Sequence, residues 1–325
     1  MSPKRREKSA ACCCALALIC ALVFFGISRS AGADPALTVV HVNGVATDDI
    51  TPFQYALETG MFRKAGLDAQ FDVAKDGAAT VSAVVSDSYQ IGKSSLLSLM
   101  NAHLHGISIV VIAAGGVNDA RQPPFAQLVV APDSKVKSGK DLTGATIAVG
   151  GLNDLSTVAT DAWIDKTGGD SRTVHFVEMP VSTMPAAVAD HRVDAAFILQ
   201  PVLANALTAH QVRAVGTPYT AIAPIFLGSG WFTTREYATQ HPDIVAAFAR
   251  TMYKAAIYTN THTADTAPMM SALTKVPMNV YSTMPRTLTA TATELNYIQP
   301  LIDTAARYHA IPQGFSAQDF VWPSL

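Results

Sequence analysis

The triplet Lys93-Ser94-Ser95 brings one ammonium and two hydroxyls to a predicted helix start. A helix start also presents unpaired backbone N–H groups and a partial positive charge. Such groups can hold a sulfonate, a carboxylate or a similar anion. The structural alternative is that Ser94 or Ser95 only caps the helix while Lys93 faces water. The triplet therefore predicts either an anion-binding site or an ordinary helix cap.

Other polar residues follow predicted strands in a similar way. Ligands of open parallel sheets sit beyond the carboxyl ends of the strands, so residues at those ends are candidate ligand contacts. They are Asn43, Thr51, Phe53, Gln54, Gly115, Asn153, Ser156, Thr157, Gln200 and Ser229. Alternative roles are helix capping for Ser156 and Thr157, turn formation for Asn153, and a satisfied buried amide for Gln200.

Two aromatic residues, Phe53 and Trp231, lie near the same predicted strand ends. Either ring could stack on a planar or apolar ligand, which keeps a neutral aromatic or pyrimidine-like ligand open as the alternative to an anion. Large aromatic side chains are also typical of a protein core. The sequence leaves both roles open for each ring.

Residue patterns for catalysis or metal binding are missing from the sequence. His103 and His105 are two positions apart on a predicted helix, so their side chains point in different directions. The histidines show no H-x-x-x-H spacing, and the Gly-Gly pairs lack the third glycine of a dinucleotide-binding fingerprint. We expect no catalytic residue, no metal and no cofactor.

The first 33 residues have the order of a secretory leader. A basic start at residues 4–8 precedes an apolar run at residues 10–27, and Ala31-Gly32-Ala33 supplies a small-residue cleavage site. We expect cleavage after Ala33 and a periplasmic location. About 18 apolar residues can just span a bilayer, so an uncleaved membrane tether stays open, as does lipid attachment at Cys20.

Removal of the leader changes the charge balance of the chain. The leader holds five of the 23 basic and one of the 25 acidic residues, which leaves 18 basic against 24 acidic side chains, a net charge of −6. Without a basic stripe to neutralise phosphates, nucleic acid is not an expected partner. All four cysteines lie in the leader, which excludes disulfides and cysteine nucleophiles elsewhere.

Strands and helices alternate twice along the chain, which favours two α/β lobes with mostly parallel sheets flanked by helices. The strands are predicted at residues 36–42, 68–73, 90–92, 107–114, 126–131, 146–149, 173–177, 195–199, 212–215 and 225–233. A long helix is predicted at residues 287–308. The lobes are assigned to residues 34–127 and 128–224, and residues 225–325 return to the first lobe and add C-terminal helices.

Three motifs in this order are similar to those of a known family. The residues are Pro52, Ala56, Glu58, Gly60, Phe62, Lys64, Gly66 and Leu67, then Asp141-Leu142-x-Gly144-x-x-Ile147-Ala148-Val149, then Val193-Asp194-Ala195-Ala196 with Pro201. Together they resemble periplasmic binding proteins of the nitrate/sulfonate/taurine type, which supply ABC importers. The same family resembles a pyrimidine synthase of thiamine biosynthesis.

The resemblance implies a two-lobed periplasmic binding protein fold (type II) with two crossover segments and a ligand cleft that closes on binding. The chain departs from the family at Asp87-Ser88-Tyr89-Gln90 and at Gln200-Pro201, where the family usually carries an additional carboxylate. Both changes imply fewer negative groups near the cleft, which fits an anionic ligand.

The expected function is therefore a solute receptor that binds a small organic anion, resembling sulfonate, nitrate or carboxylate, and acts as a monomer with an ABC permease at the membrane. A ligand-sensing subunit is a further alternative. An enzyme on the same fold is not favoured, because the related synthase is cytosolic and has a cysteine cluster, whereas this chain has a leader and no later cysteine.

Overall fold

The computed structural model describes residues 37–152 and 154–323. The predicted leader and its cleavage site lie outside these residues. The strands are β1 (Thr38–Gly44), β2 (Leu67–Val73), β3 (Ile91–Ser95), β4 (Ile109–Ala114), β5 (Gly116–Asp119), β6 (Ala126–Val130), β7 (Thr146–Val149), β8 (His175–Glu178), β9 (Ala195–Leu199), β10 (Arg213–Gly216), β11 (Ile225–Leu227), β12 (Ser229–Thr234) and β13 (Leu288–Thr289).

Helices follow most of these strands. They are α1 (Thr51–Glu58), α2 (Met61–Lys64), α3 (Gly77–Val85), α4 (Leu96–Leu104), α5 (Leu155–Lys166), α6 (Met184–Ala189), α7 (Val202–Thr208), α8 (Tyr219–Ile222), α9 (Arg235–Gln240), α10 (Pro242–Thr259), α11 (Thr263–Thr274), α12 (Met278–Tyr281), α13 (Leu295–Arg307) and α14 (Ala317–Phe320). Within the described part of the chain, none of them is long and apolar enough to cross a membrane.

Two five-stranded sheets share one topology. The first has the order β2-β1-β3-β12-β4, and the second, read from its β8 edge, has the order β8-β7-β9-β6-β10. In each sheet one strand, β12 or β6, runs antiparallel to its neighbours, and the others run parallel to one another. The prediction of two similar, mostly parallel sheets therefore agrees with the observed topology.

Helices bury both faces of the first sheet. On one face, α1 and α10 bring Phe53 and Phe248 against Trp231 of β12, with ring centroids 5.0 and 5.4 Å from the indole ring. On the other face, α4 and α13 bury Leu99 and Ile302 in a second apolar cluster. Because every one of these side chains is removed from water, their burial favours assembly of the sheet with its helices.

A three-stranded ribbon connects the two sheets. β5 leads towards the second sheet, β11 returns from it, and the two pair antiparallel, with Ile225 opposite Asp119. β13 pairs with the other edge of β5, with Leu288 opposite Val117. The ribbon therefore consists of both crossing segments and one strand from the C-terminal part of the chain.

The predicted helix over residues 287–308 is wrong in its first part. Residues 288–289 form β13, and the helix begins only at Leu295. The side chain of Asn260 explains the difference, because it accepts a hydrogen bond from the Thr289 N–H (3.0 Å) and donates one to the Thr289 carbonyl (2.8 Å). This side chain thus satisfies the backbone of a β-branched residue that favours an extended conformation.

The first predicted strand also extends further than expected. Asn43-Gly44 does not end β1, because Gly44 still pairs with Lys93 in parallel register. A Cβ atom on Gly44 would lie 3.0 Å from the Lys93 Cβ, so glycine permits this close approach. β3 likewise continues through the triplet to Ser95, which caps α4 by accepting a hydrogen bond from the Ser98 N–H.

A carboxylate, Asp161, lies where α5 meets α13. Val158, one turn earlier on α5, is buried in the apolar cluster that contains Ile298 of α13. Asp165, one turn later, accepts a hydrogen bond from the Tyr308 hydroxyl at 3.0 Å. Asp161 shares this helix face, and burial, together with the charge of Asp165, raises the pKa of Asp161 to about 7.

Replacing Asp161 by asparagine should stabilise the protein at pH 8. Between its unfolded pKa near 3.8 and its folded pKa of about 7, Asp161 binds a proton more tightly in the folded state, so stability falls as the pH rises through this window. Partial exposure reduces the effect, and we expect a gain of about 1–2 kcal/mol in the free energy of unfolding at pH 8 and almost none at pH 3.5.

Urea unfolding at both pH values measures this difference. Asp190→Asn is the control, because Asp190 is exposed and lies 3.5 Å from Arg192. An equal gain in both variants at pH 8 would assign the effect to net charge and would contradict a local cause at Asp161.

Candidate functional site

A cavity of about 360 Å³ lies where the two sheets and the ribbon meet. Two smaller cavities beside the ribbon have volumes of about 120 and 240 Å³, and neither is lined by the start of α3, α4 or α5. The large cavity is lined by Val45, Thr47, Asp48, Asp49, Gly77, Lys93, Ser94, Ser95, Ser98, Gly116, Asn118, Phe125, Asp154, Leu155, Leu199, Tyr219, Gly228, Ser229 and Thr287. Residues from both sheets thus face the same space.

Three helices begin at the wall of this cavity. α3 starts at Gly77, α4 follows Ser95, and α5 starts at Leu155, and all three residues line the cavity. A helix start carries unpaired N–H groups and roughly half a positive charge. The cap of α4 is the neutral Ser95, whereas Asp76 and Asp154 cap the other two helices with carboxylates.

Lys93 is part of a buried ion pair in the cavity wall. Its ammonium lies 2.5 Å from Asp49 and also donates to the Thr47 hydroxyl at 2.8 Å. The Ser229 hydroxyl donates to the second oxygen of Asp49 and accepts from the Gly116 N–H at 2.8 Å. Burial alone would raise the pKa of Asp49, but the charge of Lys93 and these hydrogen bonds hold it below its usual value.

Ser94 lies on the opposite face of β3 from Lys93, and only 3% of the residue is exposed. Its buried hydroxyl has no hydrogen-bond partner among the described residues. A Cβ atom on Gly77 would collide with this hydroxyl, so the hydroxyl points at the first turn of α3. The Asn43 carboxamide oxygen is likewise buried without a described partner, but Asn43 does not line the cavity.

Asp154 faces the cavity from the second sheet. Its carboxylate caps α5 by accepting hydrogen bonds from the Ser156 N–H (2.8 Å), the Ser156 hydroxyl (2.5 Å) and the Thr157 N–H (3.3 Å). Burial raises the pKa of Asp154, although these hydrogen bonds oppose the increase. Ser156 and Thr157 therefore belong to the helix cap and do not line the cavity, while Asn153 lies outside the described residues.

Other predicted contacts have structural roles. Phe53 and Trp231 are fully buried and stack on each other in the core, so the hypothesis that they form ligand platforms is wrong. Thr51 borders the separate cavity of about 240 Å³. Gln54 donates to Glu58 at 2.7 Å on the surface of α1.

The remaining two predicted residues also lie outside the cavity lining. The Gly115 N–H donates to the Ser229 carbonyl at 3.0 Å. The Gln200 side chain accepts from the Ala204 N–H at 3.1 Å, at the start of α7, while its neighbour Leu199 lines the cavity. Of the predicted set, the structure brings together four residues at the cavity, namely Lys93, Ser94, Ser95 and Ser229.

Sequence reasoning missed several residues of the wall. Asp48 and Asp49 lie just before the candidate contact Thr51, but neither directly follows a predicted strand. Together with Asp154 they place three carboxylates around the cavity, none of which was among the predicted ligand contacts. Tyr219 was missed because nothing local marks its place, and its ring is fixed by contact with Phe197 and Phe226.

Comparison with known proteins establishes the family. Residues 47–265, which are two thirds of the chain, match a family model described as NMT1/THI5 like. This chain belongs to the NMT1/THI5-like family. No curated protein matches its sequence.

Solved structures share the fold of this family member. The periplasmic aliphatic sulphonate-binding protein SsuA of Escherichia coli has a TM-score of 0.73 at 16% identity, over 88% of this chain and 92% of that one. The periplasmic nitrate-binding protein NrtA of Synechocystis PCC 6803 has a TM-score of 0.67 at 14% identity, over 87% and 85%. The predicted periplasmic binding protein fold is thereby confirmed.

The same fold also occurs outside bacteria. The CA3427 gene product of Candida albicans, described as having the generic periplasmic binding protein fold, has a TM-score of 0.69 at 13% identity, over 89% of this chain and 97% of that one. Since identities this low establish the fold alone, the ligand of this NMT1/THI5-like protein must be argued from its own cavity.

Removing the charge of Lys93 should lower the stability of the protein itself, even in the absence of a ligand. Lys93→Met leaves Asp49 buried without its cation, and we expect a loss of about 3–5 kcal/mol in the free energy of unfolding. Adding Asp49→Asn removes the unpaired charge and should recover a large part of this loss. Urea unfolding of both variants measures the two steps.

The control for this experiment is Lys75→Met, because Lys75 is exposed on the loop before α3. We expect its free energy of unfolding to stay within about 0.5 kcal/mol of the unsubstituted protein. A Lys93→Met protein as stable as the control would show that the buried pair does not form.

Proposed function

We propose that this protein is the solute-binding receptor of an ABC importer, and that it captures a small organic anion, resembling sulfonate, nitrate or carboxylate, in the cavity between its sheets. The observation that carries this proposal is the Ser94 hydroxyl, which is buried without a described partner at the first turn of α3. A buried polar group of this kind calls for a partner, which a ligand can supply.

The surroundings of Ser94 suit an anion. The starts of α3 and α4 both lie at the cavity, and a helix start is a general site for binding an anion. An anionic oxygen placed there can accept hydrogen bonds from these groups and from the Ser94 hydroxyl. The triplet therefore contributes through its serines and through the helix start, while the ammonium of Lys93 is already paired with Asp49.

The cavity wall is less polar on the side of the second sheet. Phe125, Leu155, Leu199 and Tyr219 line it, with Asn118 nearby. An organic body attached to the anionic group would find apolar contacts there. This wall also supports the alternative of a neutral aromatic ligand. In that case Tyr219 and Phe125, instead of Phe53 and Trp231, would stack on the ligand.

The two-sheet architecture supports capture by closure. We assign one lobe to residues 34–127 and 225–325 and the other to residues 128–224, joined by the ribbon of β5, β11 and β13. Bending of such crossing segments lets two lobes close over a ligand, and a permease can recognise the closed shape. No bond is broken in this cycle, so the protein acts without catalysis.

The names of structurally similar proteins point the same way. The Escherichia coli and Synechocystis proteins are described as binding aliphatic sulphonate and nitrate in the periplasm. We extend an exported location, a small-molecule ligand and a membrane permease partner to this chain by analogy, with the protein acting as a monomer and without nucleic acid.

A thermal-shift screen followed by calorimetry tests the proposal. Butane-1-sulfonate, nitrate, benzoate and a neutral pyrimidine are added separately to the purified protein without its leader. A ligand that binds only the folded state raises the melting temperature. We expect a rise with an organic anion, whereas a rise with the pyrimidine alone would favour the neutral-ligand alternative, and turnover of any added compound would contradict a pure receptor.

Ser94→Ala should weaken binding of the best anion without destabilising the fold. The variant removes one hydrogen bond to a charged group, worth about 1.5–3 kcal/mol, and calorimetry measures this loss as an increase in Kd. The free energy of unfolding should stay unchanged, because the hydroxyl has no described partner to lose. Ser86→Ala, on the exposed end of α3, is the matched control and should leave Kd unchanged; equal Kd values for the two variants would remove Ser94 from the site.

A further inference from the structure

The side chains of the cavity wall do not form a cationic site. Lys93 is neutralised by Asp49 at 2.5 Å, and Arg286, beside the wall, by Asp48 at 2.7 Å. Asp154 lines the cavity and makes no salt bridge with any residue that the structure describes. The paired groups cancel, so Asp154 is the carboxylate of the wall that no described cationic side chain neutralises, and the start of α5 that it caps offsets only about half of its charge.

Attraction for an anion comes only from the end of the cavity at the first sheet. There, the starts of α3 and α4 and the Ser94 hydroxyl can surround a single anionic group. Each helix start contributes roughly half a positive charge, and the Asp76 carboxylate that caps α3 offsets part of this, so the two starts match at most one negative charge.

The other end of the cavity, at the second sheet, is unfavourable for a second anionic group. Asp154 lies there with Leu155, Leu199 and Tyr219, and Asp154 already uses its carboxylate to cap α5. A second anionic group would lose its water, meet mainly apolar surface and approach a like charge. Since repulsion between like charges increases as they approach, a group at this end is affected more strongly by Asp154 than the group at the helix starts.

We infer that the cavity selects its ligand by charge number: it accepts an anion with a single negative charge and an apolar body, and Asp154 is the residue that excludes a second negative charge. This inference rests on the proposed function, because it concerns the ligand of the same cavity. It assigns Asp154 a part in specificity in addition to its part as a helix cap.

The experiment compares butane-1-sulfonate with butane-1,4-disulfonate by calorimetry at pH 7.5. The two compounds have the same carbon chain and differ in the second sulfonate. We expect the monosulfonate to bind the unsubstituted protein at least tenfold more tightly. In Asp154→Asn, the ratio of disulfonate to monosulfonate affinity should rise by about a hundredfold, as expected for like charges about 5 Å apart in a medium of dielectric constant about 20, since the sulfonate that both compounds share cancels in the ratio.

Asparagine is a suitable substitution because it caps helices as well as aspartate does, so α5 should keep its start. The matched control is Asp170→Asn. Asp170 is also a capping aspartate, at residues 171–173, but its charge is paired with Arg172 at 2.8 Å and it does not line the cavity. This control removes the same net charge from the protein and should leave the affinity ratio unchanged.

Equal affinity of the unsubstituted protein for the two sulfonates would overturn the inference, as would an unchanged ratio in Asp154→Asn or the same rise in Asp170→Asn. Circular dichroism and thermal unfolding of each variant establish that it is folded. Failure of every anion to bind the unsubstituted protein is a separate outcome, because it contradicts the proposed function and with it the inference.

Discussion

The buried pair of Lys93 and Asp49 determines how the cavity wall is assembled. Asp49 precedes α1, Lys93 belongs to β3, and Ser229, which donates to Asp49, begins β12. Through Ser229 the network also reaches the backbone of Gly116 in the ribbon. Neither charge is stable alone at this depth, so the pair forces these segments into one arrangement.

Pairing inside the wall changes what the cavity can attract. Because Lys93 is already neutralised, the positive potential available to a ligand comes from helix starts, which are fixed dipoles of the backbone. Such dipoles are oriented before a ligand arrives and need no side-chain rearrangement. The Ser94 hydroxyl, held between β3 and the first turn of α3, adds a directional donor to this field.

Much of the fold could be predicted from the sequence, because local patterns carry it. The alternation of predicted strands and helices and the three ordered motifs indicated most strands and both sheets. The short strands β5 and β13 could not be found in this way, since each exists only through pairing with a distant segment. The same limit applies to the site: Lys93 and Asp49 are 44 positions apart, and Ser229 and Asp49 are 180 apart.

The sequence-based prediction was also wrong for aromatic residues, which fit either a ligand site or the protein core. Phe53 and Trp231 occupy positions next to strand ends, where an aromatic ring could meet a ligand, yet the two rings stack on each other in the core between the sheet and its helices. The direction of a side chain depends on strand register, and the register of β12 is set by its pairing with β3 and β4. That pairing joins parts of the chain more than a hundred residues apart.

The third strand of the ribbon has a mechanical consequence. β13 is attached to α10 through Asn260 and to the segment before α1 through the Thr287 N–H, which donates to Asp48 at 2.6 Å. Since β13 also pairs with β5, it stiffens the outgoing crossing along residues 116–117. We therefore expect any bending between the two sheets to fall beyond residue 117, where β5 pairs with β11 alone.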